Sequence, residues 1–403
     1  MPTYVYKLKD ESGKTLYGFT EADNKNNLKE KMRNFKYYFI SAEVVDRKKI
    51  FESKVSIDTL LVFTRRLGSL IESGIPFITA MNILWRQSED KTIQLVVCHM
   101  RNRLEEGKNI SMSMSEFPKM FNPMYLAMIT VAEKAGGLVA ILKRLISYLE
   151  YHKLFITRTK KAILYPSIVA GFAVLVVIVM FVVLVPQFAK VLGGLRVELP
   201  GITKLVIAIS NLMRSPVFIF SVIGILTLGT MIFRYLMRDP KFAKKVDYYL
   251  LKIPFIGDIL YSLSLGRFVR SLAMLVGAGL PIFESFDIAK TTTANRYIVE
   301  GVNITQQRLQ AGNSLYESFK EARMFPVLFT EMIGVGETSG SIVKSFDSLA
   351  DHFDEEVDYK QNKFFTMLEP ALMIFVGGIV IFTLLAIYMP IFSIWDGLMN
   401  YRK

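Results

Sequence analysis

One cysteine, Cys98, occurs in 403 residues. A lone cysteine excludes an intrachain disulfide and a cysteine-built metal site, and leaves Cys98 as a reduced residue expected inside a helix. The three histidines, His99, His152 and His352, have neither H-x-x-x-H spacing nor cysteine partners, which argues against zinc. Gly13-Lys14-Thr15 echoes the end of a phosphate-binding loop, but the further glycine that pattern needs is replaced by Leu8, so the segment reads as a hairpin turn. No nucleophile elbow occurs. With no catalytic motif in context, the chain is expected to be no enzyme and to hold no metal or cofactor. The opening MPTYVYKLKDESGK lacks the apolar run of a signal peptide, so the amino end is expected in the cytosol.

Charge is missing where it matters most. Three runs, Ala162 to Val185, Pro216 to Phe233 and Pro370 to Phe392, contain no charged residue. Each is long enough to cross a bilayer core, and only a helix satisfies its own backbone in lipid. The alternative is the interior of a large soluble helical core. A composition that is 52% hydrophobic favours the membrane. The formal net charge is +13. Basic and aromatic residues do not interleave as a nucleic-acid stripe would require, so no nucleic-acid partner is expected.

The flanks carry the positive charge instead. Lys153, Arg158, Lys160 and Lys161 precede the first run; Arg234, Arg238, Lys241, Lys244 and Lys245 follow the second. A cytoplasmic excess of basic residues places both flanks inside. The expected division is a small α/β module at 1–50, a helical bundle at 56–161, a span at 162–186 closed by Pro186, and an external loop at 187–215. A return span at 216–237, a second bundle at 238–369, a third span at 370–392 and a short periplasmic tail at 393–403 complete it. The loop is not free of basic residues (Lys190, Arg196, Lys204, Arg214), and its segment ITKLVIAISNLM reads as an amphipathic helix suited to the outer surface. In the first module, TYVYKLK, GKTLYGFT and YYFISAEVV alternate like strands, and Asp23 is placed to cap a helix over NKNNLKEKMRNF.

The chain repeats itself. FTRRLGSLIESGIPFI (63–78) returns as FVRSLAMLVGAGLPIF (268–283), with Gly74 and Pro76 matching Gly279 and Pro281 at 279 − 74 = 205. Arg103 to Gly107 matches Arg308 to Gly312 at the same spacing. After a one-residue gap, VAEKAGGL (131–138) matches VGETSGSI (335–342), since 337 − 133 = 204. The register continues to Pro166 and Pro370, then to Pro186 and Pro390. Each unit is a helical bundle running into a membrane span, and the middle span returns the chain so that both units point the same way. The Gly-x-Pro pair is read as a helix corner: glycine tolerates the left-handed cap, and proline stands where the next helix begins. Gly136 and Gly340 mark a later corner, and four to six helices per bundle are expected. The fold class is mainly α: a polytopic membrane protein with two repeated cytoplasmic helical bundles, three transmembrane helices and the small α/β module.

Candidate contact residues are acidic. Glu133 and Glu337 share a repeat position before a glycine corner. They read either as a shared contact to a partner or cation, or as an internal hydrogen bond or ion pair. Glu369 abuts Pro370 at the membrane edge. The run DHFDEEVD (351–358), with Asp354, Glu355 and Glu356, is acidic where the first unit is basic, so the two are expected to face each other between units or between subunits. A solvated helix face is the alternative.

The duplicated GIP and GLP corners, AEKAGGL and GETSGSI, and LEPALMIFVGGIVIFTLLAIYMPIF resemble the inner-membrane platform proteins of type II secretion and type IV pilus machines. The resemblance covers nearly the whole chain and is sharpest at Leu368-Glu369-Pro370 and Tyr388-x-Pro390. Tyr165 stands where the first unit would carry the equivalent of Glu369, so a role for that glutamate need not be shared. The resemblance implies a non-enzymatic, homo-oligomeric inner-membrane protein. Its implied partners are a cytoplasmic hexameric ATPase, pilin or pseudopilin subunits, other inner-membrane assembly proteins and lipid. A small oligomeric transporter with repeated units is the alternative, against which stands the lack of charge inside the spans.

Overall fold

The computed structural model describes the chain except residues 1, 12, 26, 29–36, 53, 194–199, 294 and 401–403; residues 47, 192–193, 219, 387 and 390–400 are described by backbone alone. Most of the expected helix over NKNNLKEKMRNF and the side chains of the tail at 393–403 therefore lie outside the described residues. Where that helix begins, Asn24, not Asp23, accepts the capping bond, from the Asn27 amide at 2.8 Å. The side chain one position later reaches the free amide, and either residue type can do so.

Three antiparallel strands, β1 (Thr3–Lys9), β2 (Thr15–Glu21) and β3 (Tyr38–Val44), pair in the order β2-β1-β3. Helices α1 (Arg47–Phe51), α2 (Ile57–Glu72), α3 (Phe77–Gln87), α4 (Lys91–Glu105), α5 (Ile110–Ser115), α6 (Pro123–Ala135) and α7 (Leu138–Val179) follow. The outer edge of β2 is covered by helix side chains: Gln94 of α4 accepts from the Tyr17 amide at 2.9 Å, and the Trp85 indole of α3 donates to the Tyr17 carbonyl at 2.7 Å. Cys98 is buried on α4 beside the Tyr6 hydroxyl, 3.4 Å away.

After a π turn at Met180–Leu184 come α8 (Val185–Gly193), α9 (Gly201–Arg214), α10 (Pro216–Leu236), α11 (Pro240–Leu251) and α12 (Ile256–Gly277). Then α13 (Ile282–Ala289), a 3₁₀ turn at Lys290–Thr292, α14 (Arg296–Gln310), α15 (Leu315–Glu321), α16 (Val327–Thr338) and α17 (Ile342–Asn400) complete the chain.

The duplication holds element by element. α3 and its counterpart start at 77 and 282, α4 and α14 at 91 and 296, α5 and α15 at 110 and 315, each 205 apart. α6 and α16 start at 123 and 327, and α7 and α17 at 138 and 342, each 204 apart. The one-residue difference therefore falls before the fifth helix of each copy. In both copies the first helix ends in the same cap. The Ile75 amide donates to the Leu70 carbonyl at 3.1 Å, and the Leu280 amide to the Leu275 carbonyl at 3.0 Å. Gly74 has φ +79° and Gly279 φ +96°, values that favour glycine. Pro76 and Pro281 take the N-cap positions of the next helices, one residue earlier than the first-turn proline preference suggests. Gly136 and Gly340 also have positive φ, +80° and +67°.

The chain forms two compact units, which divides it differently from the expected 56–161 and 238–369. One unit joins Met1–Thr157 to Ser262–Asp354, so both bundles and the strand module share it. The other joins Arg158–Tyr261 to Glu355–Lys403 and takes in stretches expected to belong to the bundles. The opening turns of each long helix belong with the bundles: Gly68 of α2 lies against Ile146 and Leu142, Gly266 of α12 lies against Phe353, and Leu142, Leu145 and Leu149, or Phe346, Leu349 and Phe353, are buried.

Among the described residues four helices are long and apolar enough to cross a membrane: Leu138–Val191, Pro216–Leu236, Ile256–Gly277 and Ile342–Ala386. Two contain the first and second expected runs, and Ile342–Ala386 takes in the third as far as Ala386. The additional one, α12, buries 56% of its most apolar window in protein, the first helix of the second copy being written more apolar than that of the first.

One expectation about the membrane-length region is corrected. Pro186 does not close the first helix. The helical path continues to Gly193 because the π turn lets the backbone absorb a residue without an N–H. The segment expected to be amphipathic forms α9, which packs one face on the first and third apolar helices. Phe181, Val185, Val206 and Ala386 form the buried cluster there. Hydroxyls make the contact specific. In the π turn the Val185 amide bonds the Met180 carbonyl, so the Phe181 carbonyl is next in line for the N–H of residue 186, which is proline. Ser210 donates to that carbonyl at 2.5 Å. In the third helix the Ala386 carbonyl stands four residues before Pro390 and likewise lacks its regular donor; Thr203 supplies one at 2.6 Å.

Removing either hydroxyl strands a buried carbonyl. Ser210→Ala and Thr203→Val are each expected to lower stability by about 1–3 kcal/mol, measured as unfolding of the micelle-solubilised protein in denaturant. Wild-type stability in both would mean that the carbonyls find other donors.

Candidate functional site

Glu133 and Glu337, the repeat-equivalent acids, sit near the ends of α6 and α16 and turn back onto the start of α5 and α15. Glu133 accepts from the Ser111 amide at 3.1 Å, from the Ile110 amide and from the Ser111 hydroxyl. Glu337 accepts from the Leu315 amide at 2.7 Å and the Tyr316 amide at 3.0 Å. Both carboxylates thus satisfy free amides at a helix start, where the helix dipole also favours negative charge. Of the two readings left open, the geometry displays the internal hydrogen bond.

Asp354, Asp358 and Glu369 contact the first copy's long helix. Within the bundle unit, Asp354 accepts from the Tyr151 hydroxyl of α7 through one oxygen and from Arg270 of α12 at 2.6 Å through the other. Arg270 also reaches Asp351 at 2.6 Å. Within the other unit, Arg158 meets Asp358 at 2.6 Å, and Tyr165 donates to Glu369 at 2.8 Å. Two positions that are equivalents in the repeat therefore bond each other. Glu356 pairs along its own helix with Lys360 at 2.8 Å, and Glu355 is exposed. Opposite charges of the two copies do meet inside the chain, through Asp358 and Arg158. Sequence reasoning included Asp358 in the acidic run but missed Tyr151 and Arg270 as contact residues. The signal for Arg270 was its repeat match to Arg65.

That match extends to the ion pair. Arg65 pairs with Glu150 at 2.5 Å, and adding the offsets, 65 + 205 and 150 + 204, gives Arg270 and Asp354. The surroundings differ. Arg65 and Glu150 side chains are 55% and 39% exposed, Arg270 and Asp354 only 19% and 20%. Burial pushes the Asp354 carboxyl above the usual carboxylate range, against the hydrogen bonds from Tyr151 and Arg270. No cluster of three or more histidine, cysteine or acidic residues arranged for a metal occurs among the described residues.

Comparison with known proteins places these features. The family model described as type II secretion system (T2SS), protein F, matches twice, at residues 63–186 and 268–390, which are the two copies. A protein of Thermus thermophilus named type IV pilus assembly protein PilC is 30% identical, the match covering 98% of each chain. One of the same name from Myxococcus xanthus is 28% identical over 97% of this chain and 94% of that one. The type II secretion system protein F of Vibrio cholerae is 26% identical over 97% of this chain and 98% of its own.

The two ion pairs should respond unequally. Arg270→Gln leaves Asp354 buried with Tyr151 as its remaining partner and is expected to cost about 3–5 kcal/mol, whereas Arg65→Gln should cost at most about 1 kcal/mol. Because folding raises the Asp354 pKa, the folded chain holds that proton more tightly than the unfolded chain. The group's contribution is therefore greatest at low pH and is lost as pH rises from the ordinary carboxylate value through the folded one. Asp354→Asn should flatten that part of the stability–pH curve. Equal costs for the two arginine variants would contradict the assignment.

Proposed function

This chain belongs to the type II secretion system protein F family, and we propose that it is the inner-membrane platform of a type IV pilus or type II secretion machine, passing the motion of a cytoplasmic hexameric ATPase to pilin or pseudopilin subunits entering a filament. The observation that carries this reading is the duplication. Two copies of one helical body each run, without a break at the membrane edge, into an apolar helix of membrane length. A body built this way suits the transmission of force between cytosol and membrane, and no residue cluster among its described residues calls for catalysis; we read it as a non-enzyme.

The positive flanks of the first and second apolar runs orient it, with the amino end and both bundles in the cytoplasm and the tail in the periplasm. Exposed Glu355, and Glu356 beside it, are offered as contacts to a second copy or to another assembly protein; Glu133, Glu337 and Glu369 act through the positions of the helices they hold.

Deletion of the gene should abolish surface filaments if the machine builds a pilus, or the release of exoproteins if it secretes. Full-length protein in detergent should retain the cytoplasmic ATPase on co-purification, and Glu355→Lys with Glu356→Lys should weaken its self-association several-fold in analytical ultracentrifugation. Unchanged filaments and unchanged secretion in the deletion strain would overturn the reading.

A further inference from the structure

A cavity of about 210 Å³ lies within the bundle unit where the two copies meet. From the first copy α7 presents Tyr151, His152 and Phe155 to it; from the second, α12 presents Arg267 and Arg270, and Asp354 of α17 closes one side. The guanidinium carbons lie over the aromatic rings, Arg267 5.7 Å from the Phe155 centroid and Arg270 5.3 Å from that of Tyr151. Each ring holds one face of a planar cation and leaves its edge N–H groups to find acceptors.

A terminal nitrogen of Arg270 finds Asp351 and Asp354, but its Nε finds no acceptor. Only four buried side-chain polar atoms among the described residues lack a hydrogen-bond partner, and two of them, His152 Nδ1 and Arg270 Nε, belong to residues lining this cavity. Arg267 makes no ion pair with any described residue. Asp354 beside them accepts from Tyr151 through one oxygen and from Arg270 through the other, and it bonds neither His152 Nδ1 nor Arg270 Nε. Arg270 faces two carboxylates, Asp351 and Asp354, so with Arg267 the four charges sum to zero; what Arg267 brings is an unpaired guanidinium fork rather than a surplus charge. His152 is held in its neutral form by burial and by the Arg267 charge, and a neutral imidazole can donate from Nδ1 without adding a further cation. A half-buried guanidinium with unfilled donors, an aromatic wall and a neutral donor alongside is the setting in which a single oxyanion is bound in two-pronged fashion.

We propose that this cavity is a binding site for a small oxyanion, a phosphate or a carboxylate, held by Arg267 with His152 and the Arg270 Nε–H, and that its occupancy ties the first copy to the second. The site joins α7 to α12 through a ligand that neither copy could hold alone. It does not depend on the platform reading.

The three histidines make the test direct. In full-length protein labelled with [¹³Cε1]histidine and held in micelles, inorganic phosphate and, separately, acetate are titrated against chloride at constant ionic strength. The resonance lost in His152→Gln should move saturably with at least one of the two anions while those of His99 and His352 stay. A response to phosphate alone or acetate alone supports the site and names its class. Arg267→Gln should weaken the response about ten-fold or more. Arg267→Lys, which keeps the charge but not the fork, should fall between and serves if the glutamine variant does not fold. Absence of a saturable shift with both anions, equal movement of all three histidines, or undiminished binding in the folded Arg267 variants would overturn the proposal.

Discussion

The constraint on which the architecture rests is that one helix must serve two solvents. α7 and α17 begin as the walls of helical bundles and go on as apolar helices of membrane length. Their opening turns need an apolar stripe on one side only: Leu142, Leu145 and Leu149 in one copy, Phe346, Leu349, Phe353 and Val357 in the other, all buried. Their later turns need no polar side at all. Ile168, Phe172, Val174 and Leu175, or Met373, Ile374 and Phe375, are exposed in the protein and would be expensive in water. The short helices, the capped corners and the internal acids exist to hold the first kind of surface closed.

Duplication gives the two copies the same skeleton and lets them differ in where water is excluded. Arg65 with Glu150 and Arg270 with Asp354 are one interaction written twice, exposed in the first copy and half-buried in the second. The carboxylates of Glu133 and Glu337 make one helix-start cap in both. A shared cap is the mark of a structural duty inherited by both copies. An altered environment around a shared pair is where a new duty has room to arise, and the second copy's arginine stands at the wall between the two bodies.

How much of this was legible follows from what sequence encodes locally. The repeat, its one-residue shift, the glycine corners and the three apolar runs could be read, because helical period, left-handed caps and absence of charge are local properties. The family could be read from the same residues. The path of the first apolar helix past Pro186 could not, since proline ordinarily ends or kinks a helix and only the π turn accommodates it here. The docking of α9 was hidden because an amphipathic pattern says that one face is apolar and not what covers it. Tyr151 was hidden for a similar reason: its partner Asp354 lies some 200 positions away in the chain, and no periodicity links them.

The π turn at Met180–Leu184 carries a consequence for how the two copies present themselves. An extra residue in one turn advances the angular phase of everything after it by about 100°. The stranded carbonyl accordingly lies five residues before the proline in the first copy and four in the second, although the prolines are repeat partners. Ser210 and Thr203, seven residues apart and so on one stripe of α9, reach both. A single short helix thus reads an offset that the duplicated sequence alone would not possess, and it fixes in the fold which copy is first and which is second.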